Sequence, residues 1–349
     1  MYQYKKILRT ILQEGIERKD RTGFGTTSVF SHSCTFDLKR SFPAVTVKPL
    51  YFKTMVTETL WFLKGTGNTQ FLDENNCKIW KEWTHPEHQS VGPMYPAQLR
   101  NWNGNIDQLK NLVENIIKDP YSRRHVVSYW NPEVLPDTSH SPIENVGLGH
   151  AALAPCHTLF QIYVEDKDVL DILQDNKQED LQDLHAYLVA SGKIDPANNG
   201  TLFDIDSDLY DYFSNVINNN EVADIAELCR DYNVAVFDIS LQLYQRSADA
   251  YLGVPFNIAQ YALLNNIIAR VTCTTAKALY ITFGDLHLYS NQMEAVEEVM
   301  KREPMNLPKL SIKEDLRSLD DFTLLVTPDD FELVNYQSHP ALAKVQAAI

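Results

Sequence analysis

The feature that most constrains the fold is a long acidic segment that separates two strand-like patterns. Residues 165–231 hold seventeen Asp and Glu side chains against four Lys and Arg, a net charge of −13 out of −15 for the whole chain. Apolar alternation over 158–164 and 234–245 predicts two strands that would form an antiparallel hairpin without the segment. A hairpin tip accepts extra length at a small loop-closure cost. We therefore interpret 166–233 as an acidic insertion within one domain that spans 1–349.

The rest of the chain is close to neutral and has an ordinary globular composition. Its net charge is near −2, which does not favour a nucleic-acid partner. Hydrophobic residues make up 44% of the chain, enough for a sizeable core. No apolar run approaches the roughly 18 residues of a membrane span, and the acidic residues near the N-terminus are unlike a signal or transit peptide. We expect a cytoplasmic protein without a membrane partner.

The five cysteines are scattered, odd in number and without a C-x-x-C pair. This pattern indicates neither a disulfide framework nor a Cys-rich zinc site, so we expect reduced thiols and no metal. Four of them are interpreted as small buried hydrophobic residues. Cys156 differs, because it lies between Pro155 and His157 directly before a predicted strand, where a thiol can be held exposed.

A nucleophilic cysteine needs positive surroundings that lower its pKa. The chain offers four arginines in turn or strand-end contexts, Arg21, Arg123, Arg124 and Arg246. A single arginine is usually a solvated surface residue. Several guanidinium groups near one thiol would instead indicate a bound anion such as a phosphate. The pattern alone leaves both interpretations open.

Two further features suggest a cleft. The spacing predicts a helix over 52–63 with an apolar stripe, and Glu58 falls at the edge of that stripe. The aromatic-rich stretch 79–102, which includes Trp80 and Trp83, is broken by Gly and Pro and is therefore expected to be irregular. On pattern alone the two tryptophans would be core residues and the carboxylate a solvated one.

Eight motifs resemble those of the thymidylate synthase family and occur in the same order. The similarity covers nearly the whole chain outside 134–150 and 166–233, and eight motifs in register are strong evidence where one would be modest. The resemblance implies an α+β thymidylate synthase fold, in which a mixed β-sheet packs against its mate in a homodimer. The motifs are Arg21-Thr-Gly, Ile79-Trp-Lys-Glu-Trp, Asp119-Pro-x-Ser-Arg-Arg, Ala154-Pro-Cys-His, Gln242-Leu-Tyr-Gln-Arg-Ser-x-Asp, Leu252-Gly-x-Pro-Phe-Asn-Ile-Ala, Gly284-Asp-x-His-Leu-Tyr-Ser-Asn and His339-Pro.

The resemblance also implies a reaction, the reductive methylation of dUMP at C5. The cosubstrate 5,10-methylenetetrahydrofolate would donate both the carbon and the hydride. Cys156 would add to C6 of uracil, since C5 is unreactive without that addition. Glu58 would organise water and protons around O4, and Tyr95 would position the water that removes the C5 proton. Asn257 would read the base through its amide.

The family pattern further assigns binding residues to this chain. The phosphate clamp would consist of Arg21, Arg123, Arg124 and Arg246, with Ser247 as a hydroxyl donor. Asn257 would be the base reader, and His287 and Tyr289 would bind the ribose hydroxyl. Arginines 123 and 124 would come from the partner subunit, which implies an obligate symmetric homodimer. The folate side would comprise Lys48 at the glutamate tail, Trp80, Trp83 and Asp249 along the site, and Ile349 closing over the complex.

The chain departs from the family pattern at several positions. Pro96 and Leu99 replace a glycine and a tryptophan, Gln260 replaces a serine, and Gln292 replaces a histidine. Pro96 fixes φ beside the proton-handling tyrosine, and Leu99 removes an indole on the cofactor side. Two alternatives therefore stay open. One is a dUMP or dCMP hydroxymethylase of the same superfamily, in which water replaces hydride, and the other is a catalytically silent protein that binds a basic partner through its acidic insertion.

Overall fold

The structure is a computed structural model that describes residues 1–19, 23–195, 205–342 and 345. Its strands are β1 (Ile16–Arg18), β2 (Thr26–Asp37), β3 (Val126–Ser128), β4 (His157–Asp166), β5 (Phe237–Asp249), β6 (Thr275–Tyr289), β7 (Lys309–Ile312) and β8 (Phe331–Val334). The first six form one sheet in the order β1-β2-β6-β5-β4-β3. β5 and β6 are parallel, and the other neighbours are antiparallel. β7 and β8 form a separate antiparallel pair.

Helices accompany this mixed sheet, which is the α+β architecture that the resemblance implies. In the described ranges they are α1 (Tyr2–Glu14), α2 (Phe52–Leu63), α3 (Gln70–Glu74), α4 (Tyr95–Arg100), α5 (Gln108–Lys118), α6 (Pro142–Gly147), α7 (Val169–Asp175), α8 (Gln178–Ala190), α9 (Ile205–Asn218), α10 (Val222–Asp231), α11 (Gly253–Thr272) and α12 (Met293–Lys301). Within these ranges, no helix combines the length and the apolar character that crossing a membrane requires.

Helix α11 makes the parallel pairing possible. Parallel neighbours cannot be joined by a tight turn, so the chain needs a crossover between β5 and β6. α11 supplies it, is buried along most of its length, and packs on both strands and on α2.

Several segments that are distant in sequence meet at one edge of this sheet. The parallel strands β5 and β6 end there, and the antiparallel strand β4 begins there. In the register, His157 lies opposite Gln245, and Asp249 lies opposite His287. The first turn of α11 follows directly after β5, so it lies at the same edge.

The acidic segment lies between β4 and β5 and contains helices α7 to α10. The two strands pair antiparallel along their length, and Asp166 lies opposite Phe237 where the segment begins and ends. Ion pairs connect the segment to the sheet. Lys39, which follows β2, lies 2.5 Å from Asp171 and 3.1 Å from Asp175 of the segment, and 3.0 Å from Asp238 on β5.

Candidate active site

Cys156 lies at the edge just described, directly before β4, and is partly exposed. Its backbone is fixed from two sides. The Cys156 N–H donates to the Tyr95 hydroxyl at 2.8 Å, and its carbonyl accepts from the N–H of Arg246 at 2.7 Å. The loop that carries the thiol is therefore held rigidly against β5 and the start of α4.

Arg246 places a positive charge beside this loop. Its Nε donates to the carbonyl of Pro155 at 3.2 Å, and its Nη2 donates to the carbonyl of Ala154 at 3.3 Å. The guanidinium also lies 5.6 Å from the centre of the Trp130 ring. A cation held on the two carbonyls that precede Cys156 favours the thiolate form that a nucleophile requires.

Two of the other predicted arginines, Arg123 and Arg124, are not brought to the thiol within this chain. Arg123 and Arg124 are exposed in the turn before β3. Val126 pairs with Gln161, so the register places Arg124 beyond Gln161, more than five residues along β4 from Cys156, at about 3.3 Å per residue. Arg21 lies outside the described residues, as does Ile349.

Glu58 on α2 is held by two side-chain donors. Trp80 Nε1 donates to its Oε1 at 2.8 Å, and Gln260 Nε2 donates to its Oε2 at 3.1 Å. Burial raises the pKa of Glu58 to about 7, although both hydrogen bonds act in the opposite direction. The carboxyl can therefore both accept and release a proton near neutral pH.

Tyr95 begins α4 and is buried. Its ring stacks on Phe62 and on His157, with centroids 5.0 and 4.9 Å away. Burial raises the pKa of Tyr95 well above its usual value, so the phenol is neutral. The adjacent Pro96 occupies the first turn of α4, where a missing N–H costs no helical hydrogen bond.

The base reader predicted from the sequence, Asn257, lies in the first turn of α11. Its Oδ1 accepts from Gln245 Nε2 at 2.9 Å, and the same nitrogen donates to the Ser247 carbonyl at 3.1 Å. His157 lies nearby, hydrogen-bonded through Nδ1 to the Tyr261 hydroxyl at 3.0 Å, and burial lowers its pKa to about 3. These groups are neutral, which suits recognition of an uncharged base.

His287 and Tyr289 lie together at the end of β6, with ring centroids 5.1 Å apart. His287 Nδ1 is 2.9 Å from Asp285 Oδ1, and this contact lowers the pKa of Asp285. Ser247 pairs with Asp285 in the β5–β6 register, so it lies at the same edge.

Three of the predicted folate residues lie in the aromatic stretch before α4 and at the end of β5. Trp80 packs edge-to-face against Trp83 and Tyr95, with centroids 5.7 and 6.0 Å apart. Asp249 Oδ1 accepts the N–H groups of Tyr251 and Leu252, both at 2.9 Å. Aromatic rings can stack on a flat heterocycle, and a fixed carboxylate can accept from its N–H groups.

Two further residues of the predicted folate side have side chains that contact the protein itself. Lys48 does not extend outward: its Nζ donates to the Tyr251 carbonyl at 2.5 Å and lies 4.0 Å from the centre of the Tyr251 ring. Burial lowers the pKa of Lys48 to about 8. Leu99 is fully buried, so it fills the core and does not line an open cleft.

Sequence reasoning missed the role of three glutamines. Gln245 lies inside one of the eight motifs, and Gln260 and Gln292 are departures from the family pattern, but nothing in the local sequence indicates their contacts. All three are buried and hydrogen-bond to predicted site residues, namely Asn257, Glu58 and Asp249. Among the residues that the structure describes, no cluster of His, Cys, Asp and Glu could hold a metal ion.

Comparison with known proteins gives two consistent findings. A family model described as thymidylate synthase matches residues 2–185 and 222–348. A curated thymidylate synthase from Francisella philomiragia subsp. philomiragia is 36% identical over 343 residues, which covers 98% of this chain and 98% of that protein. The internal stretch that the family model leaves out, 186–221, lies within the acidic segment.

Proposed function

Because this chain belongs to the thymidylate synthase family and is a methyltransferase enzyme, we propose that it methylates dUMP reductively at C5 to give dTMP. The folate cosubstrate, 5,10-methylenetetrahydrofolate, would supply the carbon and the hydride. The observation that carries the proposal is the fixed, partly exposed Cys156 with the Arg246 guanidinium held on the two preceding carbonyls.

Cys156 is the proposed nucleophile that adds to C6 of uracil. The positive charge of Arg246 stabilises the thiolate before addition and binds the phosphate of the nucleotide. Addition at C6 converts the C5–C4–O4 unit into an enolate, which can attack an electrophilic carbon.

Glu58 manages the charge that this addition creates at O4. With a pKa of about 7, its carboxyl can deliver a proton toward O4 and recover it later through water. Trp80 and Gln260 hold both carboxyl oxygens, so the group need not reorganise during the reaction.

Tyr95 is the proposed positioning group for the water that removes the C5 proton. Its oxygen already accepts the Cys156 N–H, which leaves the phenolic proton free to orient a water molecule. The neutral phenol itself does not act as the base.

Asn257 is the proposed reader of uracil. Gln245 fixes one lone pair of Oδ1, so the second can accept from N3–H while the NH₂ group donates to O4. Cytosine reverses both of these groups and would be rejected.

We further propose a symmetric homodimer in which Arg123 and Arg124 complete the phosphate clamp of the partner subunit. Two observations support it: both arginines are far from Cys156 along β4, and the outer face of the sheet exposes aromatic side chains. Tyr163 and Tyr280 line one shallow depression there with Gln242. Arg21 would join the same clamp, with Ser247 as a hydroxyl donor.

The proposed folate site uses Trp80, Trp83 and Asp249. Lys48 would leave the Tyr251 carbonyl to meet the glutamate tail, and Ile349 would close over the complex. A lysine with a pKa near 8 is still largely protonated at neutral pH, and a carboxylate partner would raise that pKa.

A substrate that cannot complete the reaction tests this proposal. In 5-fluoro-dUMP, fluorine replaces the proton that must leave C5, so the nucleotide should remain attached to Cys156 when the folate cosubstrate is present. Peptide mass spectrometry should locate the adduct on Cys156. The assignment would be contradicted by an adduct on another cysteine. It would also be contradicted if enzyme that turns over dUMP normally formed no adduct with 5-fluoro-dUMP.

A further inference from the structure

Gln292 lies between the two halves of the proposed site. It ends the short 3₁₀ helix Ser290–Gln292 that follows β6, and its side chain is fully buried. Its Nε2 donates to Asp249 Oδ2 at 2.8 Å, and its Oε1 accepts the N–H of Tyr289 at 3.1 Å. One carboxamide thus connects the proposed folate residue on β5 with the proposed ribose residue on β6.

The orientation of Asp249 depends on this contact. Its Oδ1 is held by the backbone at the entry to α11, whereas its Oδ2 is held by Gln292 from the side of β6. Without the Gln292 donor, the carboxylate could rotate about its Cβ–Cγ bond and lose its fixed direction. A ligand that immobilises the end of β6 therefore also fixes Asp249.

We propose that Gln292 is a positioning residue that couples nucleotide binding to folate binding. The inference rests on the proposed roles of Tyr289 and Asp249. Ribose bound at Tyr289 restrains the backbone whose N–H holds Gln292, and Gln292 orients Asp249 before the folate arrives. The folate then meets a preorganised carboxylate, and by linkage it strengthens nucleotide binding by the same factor.

The main test compares Gln292→Met with the wild-type enzyme. Methionine has a similar length and removes both hydrogen bonds. Tetrahydrofolate, which lacks the transferable carbon and cannot react, is titrated calorimetrically with and without dUMP. We expect dUMP to tighten tetrahydrofolate binding in the wild type, and this coupling factor to fall about tenfold in the variant, as for loss of a hydrogen bond to a charged group.

A second variant, Gln292→Glu, separates positioning from simple packing. Glutamate keeps the acceptor for the Tyr289 N–H, but it can donate to Asp249 only when protonated. Its coupling factor should therefore approach the wild-type value at low pH and fall as the pH rises. Tyr4, Tyr251 and Lys48 also interact electrostatically with Asp249, and His287 lies opposite it in the register. Each point is therefore compared with the wild type at the same pH.

Asn265→Leu is the matched control, because it removes another fully buried carboxamide, one that donates to the Ala278 carbonyl within the body of the fold. It should lower the Tm and leave the coupling factor unchanged. The inference is overturned if Gln292→Met keeps the full coupling factor, or if Asn265→Leu lowers that factor equally. In either case turnover of dUMP still supports the proposed function. A wild type without coupling overturns the inference as well.

Discussion

Burial makes the other four thiols poor nucleophiles, although Cys34 and Cys273 are not fully buried as expected and are partly exposed like Cys156. It raises the pKa of Cys34 and Cys229 to about 12 and that of Cys77 and Cys273 to about 11. Those four thiols remain protonated at physiological pH and are poor nucleophiles. The fold thus leaves one cysteine suited to covalent catalysis.

Replacing this thiol should abolish turnover and preserve substrate binding. We expect Cys156→Ser to lower kcat by roughly 10⁴-fold or more, because a neutral hydroxyl is a far weaker nucleophile. The phosphate clamp does not need the thiol, so dUMP binding measured by calorimetry should remain. Cys34→Ser is the control and should retain most activity. Substantial turnover by the Cys156 variant would exclude it as the nucleophile.

Asn257→Asp should shift base preference from dUMP toward dCMP. A protonated carboxyl can donate to N3 of cytosine while its other oxygen accepts from the amino group. We expect the ratio of the two kcat/KM values to change by roughly 10- to 100-fold. Competition kinetics with both nucleotides measures the ratio, and an unchanged ratio would mean that the base is read elsewhere.

Glu58 should reduce stability as the pH rises. Its folded-state pKa of about 7 exceeds the ordinary value of 4.5, so the folded protein holds this proton more tightly than the unfolded chain. Its contribution is therefore most favourable below pH 4.5 and is lost as the pH rises to about 7. We expect Glu58→Gln to raise the free energy of unfolding by on the order of 1–3 kcal/mol at about pH 8, and less near pH 5, while catalysis is lost. Denaturant titrations at both pH values measure this, and equal effects would contradict the assigned pKa.

Motif residues could be located from the sequence, whereas the contacts that tune them could not. Glu58 and Gln260 are 202 positions apart, and Asp249 and Gln292 are 43 apart. Such pairs form only when the sheet edge brings α2, α11 and the end of β6 together, so no local pattern indicates them.

At the level of elements, the apolar patterns predicted several bounds correctly. The helix predicted over 52–63 is confirmed, and the strand predicted over 158–164 lies within β4. The strand predicted over 234–245 is shifted, because β5 runs from Phe237 to Asp249. Helix α1 ends at Glu14, because Gly15 is extended and residues 16–18 pair with β2 as strand β1. Local propensity does not report such a tertiary constraint.

The stretch 131–149, which is rich in Pro, Ser and Asn, contains a helix that its own sequence indicates. Ser141 and Glu144 form a capping box at the start of α6, with Pro142 in the first turn. Serine followed three residues later by glutamate is a known helix-start signal. The high Pro, Ser and Asn content of this stretch is typical of a loop, so composition alone does not indicate the helix.

The acidic segment should be removable without loss of activity. Since Asp166 lies opposite Phe237, an Asn-Gly turn can replace residues 167–236 and join β4 directly to β5. The deletion removes Lys167, Asp171 and Asp175 together and leaves Lys39 paired with Asp238. We expect a folded dimer that turns over dUMP, checked by light scattering and steady-state kinetics. A folded, dimeric but inactive protein would show that the segment contributes to the active site.

The whole molecule consists of a nearly neutral body, which carries the proposed active site, and the strongly acidic segment. The family model matches the body and both ends of the acidic segment, and it leaves out residues 186–221. The body holds Cys156 between the neutral Tyr95 phenol and the anchored Arg246 guanidinium, and burial raises the pKa of the Glu58 carboxyl to about 7. We propose that these groups serve the nucleotide reaction, in which the acidic segment has no assigned role.

The product of turnover tests the central claim most directly. With dUMP and 5,10-methylenetetrahydrofolate, the absorbance of dihydrofolate should appear in proportion to a nucleotide that has gained a methyl group in place of hydrogen. Mass spectrometry of the nucleotide identifies that group. A nucleotide that has instead gained a hydroxymethyl group, with no dihydrofolate, would contradict the account and indicate that water, not hydride, captures the intermediate.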